Sequence, residues 1–127
     1  PENSFVARER LAGFMDVMAA RLAEAGLDPA SCVISAPFDY NGGREAAKAL
    51  LADGGPAPTA IFACSDQQAI GVLRAAFDRR IAVPDRLSVI GFDDILISDL
   101  VAPRLTTPRR AEATDRSRPG RRAMLSL

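Results

Sequence analysis

Between Thr59 and Phe92 the chain spells out one unit whose geometry leaves little choice. Thr59, Ala60, Ile61, Phe62, Ala63 and Cys64 form a short, almost wholly apolar run. A strand that is apolar on both faces suits the middle of a parallel sheet. Ser65 follows, with Gln68 three positions on, which is the pattern of a capping box at a helix start. Ala69, Ile70, Leu73, Ala76 and Phe77 then recur at helical spacing and predict an inward stripe. Pro84 ends that pattern. Leu87, Ser88, Val89, Ile90, Gly91 and Phe92 predict a second buried strand. Strand, helix and strand within roughly 35 residues make a βαβ unit, whose crossover should be right-handed. The fold class is therefore α/β with a mostly parallel sheet.

The rest of the chain reads around that unit. A first helix is predicted over residues 4–25, with Leu11, Phe14, Met15, Met18, Leu22 and Ala25 on one face and Gly26 as its stop. Residues 32–34 predict a short buried strand. Asn41, Gly42 and Gly43 predict a turn that opens a helix over 44–52, with Ala46, Ala47, Leu50 and Leu51 inward. Residues 95–101 are apolar and fit a short helix or a packed loop. Leu105, Thr106 and Thr107 fit one more short strand. There is no internal repeat.

Composition narrows the chemistry. At 127 residues, with 48% hydrophobic and 25% charged, the chain is long enough for one domain with a core. It has no apolar run near the ~20 residues of a membrane span, and no signal peptide is visible. It contains no histidine, which removes the commonest general base and metal ligand and every Ser/His or Cys/His nucleophile pair. Cys32 and Cys64 each sit in an apolar run and read as core thiols rather than a disulfide or metal site. No catalytic residue, metal or cofactor is assigned.

Net charge is zero but unevenly spread. Residues 1–107 hold ten basic and fourteen acidic side chains, a net of −4. Residues 108–127 hold six arginines against Glu112 and Asp115, a net of +4. The body has no basic surplus for nucleic acid. The arginine-rich tail reads most simply as solvated or disordered. Contact with DNA phosphates is its alternative.

In an open parallel sheet, ligands bind beyond the carboxyl ends of the strands. Ser35, then Ser65 and Asp66, then Asp93 and Asp94 fall at those ends. Asp93 and Asp94 can accept hydrogen bonds from the hydroxyls or amines of a sugar or nucleoside. Alternatively, one of them caps the following turn. Ser65 reads as an N-cap, and Asp66 suits the helix dipole without any ligand. Arg8 and Arg10 lie early in the first helix, where the dipole disfavours cations, and such a misfit can mark a site. Arg10 sits beside the apolar stripe and can reach over the sheet edge, or it is simply solvated.

Five motifs in order carry a resemblance. They are Arg10-Leu11-Ala12-Gly13-Phe14, Pro58 to Ala63, Ser65-Asp66-Gln67-Gln68-Ala69-Ile70-Gly71, Val83 to Asp94, and Pro103-Arg104-Leu105-Thr106-Thr107. Over residues 8–107 the chain resembles the effector-binding core of LacI/GalR (lactose-repressor/galactose-repressor) transcription regulators. The resemblance implies a periplasmic-binding-protein-like fold, a three-layer α/β/α lobe, with this chain as the C-terminal of two lobes around a cleft. It implies that Arg10, Ser65 and Asp93 bind a small effector, usually a sugar or nucleobase. The family commonly has asparagine where Ser65 stands, and serine has the shorter reach. The resemblance also implies a homodimer formed through the helix face and following segment that carry Gln67, Gly71, Arg74 and Ile95. It further implies a cytoplasmic regulator that meets DNA only through an N-terminal helix-turn-helix outside this chain, and no membrane contact. The segment 108–127 departs from the family pattern, so residues 1–107 are expected to form the lobe and 108–127 a separate tail. A lobe without its partner is expected to bind sugar weakly or not at all. Two other readings stand beside this one. One is an exported sugar-uptake binding protein. The other is a small α/β enzyme or magnesium-dependent phosphoacceptor using Asp93 and Asp94.

Overall fold

A computed structural model of the chain describes residues 5–55 and 57–108. Helix α1 spans Phe5–Glu24, α2 Tyr40–Leu50 and α3 Asp66–Asp78. Strand β1 spans Ala60–Phe62 and β2 Ser88–Ile90, and 3-10 turns cover Pro29–Cys32 and Leu96–Asp99. β1 and β2 pair in parallel, with Ile61 opposite Val89, so the βαβ unit is present. Both strands are shorter than their apolar runs. The expected strand at 105–107 is a single parallel bridge between Ile90 and Thr106.

Helices lie on both faces of this sheet. Ile61 and Val89 point into a core with Ala47 of α2, Leu51 just after it, and Ala69, Val72, Ala75 and Ala76 of α3. Adjacent strand residues face opposite ways. Phe62 therefore faces the other side, where Phe14 of α1 stacks on it with ring centroids 6.0 Å apart. The result is an α/β/α layering, as the sequence resemblance implies.

The sequence places α1 to within a residue at each end, but its inward face is rotated. Val6, Arg10, Phe14, Met18 and Leu22, stepping by four, are the half-buried row, while Leu11 and Ala25 are exposed. Arg10 is thus a member of the stripe rather than its neighbour. α3 shows a similar shift. Phe77, expected inward, is 73% exposed. It lies instead under the guanidinium of Arg74, 5.6 Å from its ring centroid.

Residues 32–34 do not form the expected strand. The Asp28 side chain accepts from the Ala30 N–H, Pro29 opens a 3-10 turn, and that turn takes Cys32. Val33 is extended but joins no ladder among the described residues. A local Asp-Pro turn thus wins over strand propensity.

α2 begins four residues earlier than expected. The Asp39 side chain accepts from the Gly42 N–H at 2.7 Å and caps the helix, so Asn41, Gly42 and Gly43 lie inside it. Asp39→Ala should cost about 1 kcal/mol, seen as a lower midpoint in urea unfolding. An unchanged midpoint would mean that Asp39 does not hold the helix start. Gly43 permits the close contact between α2 and α3, because a β-carbon there would overlap the Gln68 backbone. Arg44 bonds Asp78 at 2.9 Å across the same contact. That bond, aided by Arg74, holds the Asp78 carboxyl below its ordinary pKa. Among the described residues no helix is long and apolar enough to cross a membrane. The arginine-rich tail lies outside the described residues from position 109 on.

Candidate functional site

The carboxyl ends of β1 and β2 carry the site. β1 runs through Ala63 and Cys64 to Ser65. There the Ser65 hydroxyl accepts from the Gln68 N–H at 3.2 Å and caps α3, as the capping pattern expects. The Gln68 side chain does not complete the box. Its Nε2 donates to the carbonyls of Ala36 and Pro37, at 3.3 and 2.9 Å. Gln68 therefore fastens the 36–37 segment to α3.

β2 leads through Gly91 and Phe92 into a turn at Asp93 and Asp94, whose φ angles are +114° and +55°. Positive φ costs a non-glycine residue about 1–3 kcal/mol, and aspartate tolerates it better than most. Residues 106–108 hold the turn. The Gly91 N–H donates to the Thr106 carbonyl at 3.0 Å, the Asp93 N–H to the Pro108 carbonyl at 3.2 Å, and the Asp94 N–H to Thr107 Oγ1 at 3.1 Å.

That turn aims Asp93 at Arg10, 83 positions away in sequence. Arg10 Nη2 donates to Asp93 Oδ1 at 2.7 Å, and Nη1 lies 3.5 Å from Oδ2. Nη1 also donates to the Cys64 carbonyl. The guanidinium sits 4.1 Å from the centroid of the Phe92 ring, a cation–π distance. The Arg10 side chain is only 9% exposed and that of Asp93 29%. A cation this buried needs a carboxylate partner, since an isolated one is strongly disfavoured away from water. Burial beside this pair pushes the Cys64 thiol above its ordinary pKa, while Arg10 pulls it the other way. Cys64 is half-buried rather than part of the core cluster, and the raised pKa favours its thiol form.

Arg10, Ser65 and Asp93 therefore share one edge: Arg10 touches Asp93 directly and reaches Ser65's neighbour. Ser35 is not part of this group. It lines a separate groove with Ile34, Pro37, Asn41 and Ala46 along α2. Gln67 and Arg74 are exposed on α3, and Ile95 is half-buried. Gly71, expected on the same face, is buried against α2, where a β-carbon would overlap the Tyr40 carbonyl. Among the described residues there is no group of three or more His, Cys, Asp or Glu that could hold a metal.

Two contributors escape sequence reading. Phe92 reads as a core residue yet forms the platform for Arg10. Asp66 reads as a dipole residue, yet it is buried, and its Oδ2 accepts from the Ile95 N–H and the Ser98 hydroxyl at 2.9 and 2.7 Å. A polar residue inside the apolar run 95–101 was the available signal for that second contact.

Comparison with known proteins decides the family. Residues 2–113 match the model of the periplasmic binding protein-like domain. The chain belongs to the periplasmic binding protein-like domain family. Within that family its relatives are LacI-type regulators, as the five motifs imply. It is 44% identical over 77 residues to the probable HTH-type transcriptional repressor ExuR of Bacillus subtilis, covering 61% of this chain and 23% of that protein. Among solved structures it is similar to a sugar-binding LacI-family transcriptional regulator from Escherichia coli complexed with phosphate. That match has 36% identity and a TM-score of 0.69, covering 83% of this chain and 36% of the other. It is also similar to a dimeric Lac repressor with a C-terminal deletion. There the identity is 30% and the TM-score 0.70, covering 87% of this chain and 38% of the other. This periplasmic binding protein-like domain thus spans about a quarter to two-fifths of the chains it matches.

Proposed function

We propose that this domain is the effector-sensing lobe of a cytoplasmic LacI-type transcription regulator. In this reading, residues 5–108 supply one wall of a small-molecule cleft and a face for a second copy of the chain. The observation that carries it is the Arg10–Asp93 pair, which joins α1 to the strained turn after β2 at the carboxyl edge of the sheet. Folding gains little from burying an ion pair that apolar residues could replace. A charged fork with a strained backbone at a sheet edge fits ligand recognition better.

The chemistry favours a polyhydroxylated effector. The Asp93 oxygens can accept from ligand hydroxyls, and Arg10 can donate to ring or hydroxyl oxygens. Ser65, committed to capping α3, adds at most one short-range contact. The similar sugar-binding regulator of Escherichia coli supports the same class. For the second copy, the exposed Gln67 and Arg74 and the adjoining Ile95 supply the surface. Gly71 serves the packing of α3 on α2 and is left out of it. That the similar Lac repressor is dimeric supports a second copy as the partner.

The deciding experiment is titration calorimetry of the protein in which this segment occurs, against pentoses, hexoses, hexuronates and purine bases. One class should bind with a Kd on the order of micromolar, at least tenfold tighter than the others. The 127-residue chain alone should bind the same compound more weakly. If no member of the panel bound, the effector reading would fall.

A further inference from the structure

We infer that Asp66 is a positioning residue whose buried carboxylate ties the wall at Ser65 and Asp93 to the exposed segment 95–100. This rests on the effector reading of Arg10 and Asp93. It adds the route by which a change at that site reaches the surface of the domain.

Asp66 is the first residue of α3 and only 1% exposed. Ser65 already caps the helix, so the carboxylate is not needed for that purpose. Its connections run the other way. The Asp66 N–H donates to the Phe92 carbonyl at 2.9 Å, fixing the residue just before Asp93. Asp66 Oδ2 accepts from the Ile95 N–H at 2.9 Å and from the Ser98 hydroxyl at 2.7 Å. The turn at Asp93 and Asp94 is therefore gripped on both sides by one residue. Ser98 is itself 1% exposed, and its carbonyl accepts from the Leu105 N–H at 3.1 Å. This joins the hub to the 105–108 segment that holds the same turn.

The other oxygen, Oδ1, has no hydrogen-bond partner among the described residues. A β-carbon on Gly91 would press against it. A buried carboxylate with one unpartnered oxygen is costly. Simple caps can be made by exposed side chains at far lower cost. The segment it secures carries Leu96 and Leu100, 82% and 75% exposed. A ligand that competes with Arg10 for Asp93 displaces the turn. The rigid links through Phe92, Ile95 and Ser98 then carry that displacement to the segment.

A double-mutant cycle tests this without any ligand, because Asp93→Asn disturbs the site by itself. Amide hydrogen exchange over 95–100 is measured in wild type, Asp93→Asn, Ser98→Ala and the double variant. Ser98→Ala should raise exchange there about tenfold and leave the interior of α3 unchanged. Asp93→Asn should raise it several-fold in the wild-type background and hardly at all beside Ser98→Ala. A merely structural serine would give equal factors in both backgrounds, and that additivity would overturn the inference. So would a Ser98→Ala protein with wild-type exchange. Should Ser98→Ala not fold, Asp66→Asn takes its place in the same cycle with the same criterion. A coupled cycle in a protein that binds no member of the calorimetric panel would sink the effector reading and leave the Asp66 tie standing. A protein that binds one class of the panel but shows an additive cycle would do the reverse.

Discussion

Gly71→Ala should destabilise the protein by about 3 kcal/mol or more, against a typical total of roughly 5–15. The same substitution at Gly13 should stabilise it by about 0.5–1 kcal/mol. Both glycines sit inside helices, where alanine is intrinsically favoured. Their surroundings decide the sign. A β-carbon at Gly13 meets nothing within 4 Å. At Gly71 it would overlap the Tyr40 carbonyl and crowd the Arg44 amide nitrogen. Those are backbone atoms of α2, which no rotamer change can move. The two helices must part, and the shared core of Ala47, Leu51, Val72, Ala75 and Ala76 opens with them. Urea unfolding of the two variants beside wild type is the measurement. Shifts of the same sign would show that α2 and α3 do not approach as closely as described.

This contrast also shows where sequence reading reaches and where it stops. The βαβ unit was legible because each of its signals is local: two apolar runs, a serine cap and a proline break. Gly71 lay in a helical pattern and Gly43 just before one. A glycine in such a pattern costs about 1 kcal/mol against alanine, which is itself a sign of close packing. Which surface presses on it is a tertiary fact, and Gly71 turned out to face α2 within the chain. The Asp39 cap went unread because the Asn-Gly-Gly run after it reads more strongly as a turn. The strand expected at 32–34 failed through the capping strength of Asp28 before Pro29.

The site divides in the same way. Arg10 stood out as a cation early in a helix, and Asp93 as an acid at a strand end. Their meeting depends on the long-range fold, and only the family resemblance linked them. Asp66 was hidden for a sharper reason. An acid at the first position of a helix has a sufficient local explanation in the dipole. Its burial and its hold on Ser98 arise only once the 95–98 turn folds back over it.

The Arg10–Asp93 pair gives the other large effect. Asp93→Asn leaves a guanidinium whose side chain is only 9% exposed facing a neutral amide. Breaking a fully buried pair from one side costs about 3–5 kcal/mol. Asp93 is partly open to solvent, so screening lowers the expectation here to about 1–3 kcal/mol. Arg10→Met removes the cation and keeps much of the side-chain contact with Phe92. It should cost a similar amount alone, because Asp93 is then left unpaired in a strained turn. The double variant should be clearly more stable than the sum of the two losses predicts. Ligand binding should behave in the opposite manner. Each single variant should weaken the effector found in the calorimetric panel by at least about tenfold, the scale of one charged hydrogen bond. The double variant should recover stability without recovering affinity. Recovery of both together would mean that the pair acts on the ligand only by holding the fold. Loss of stability with affinity unchanged would remove Arg10 and Asp93 from the binding wall altogether.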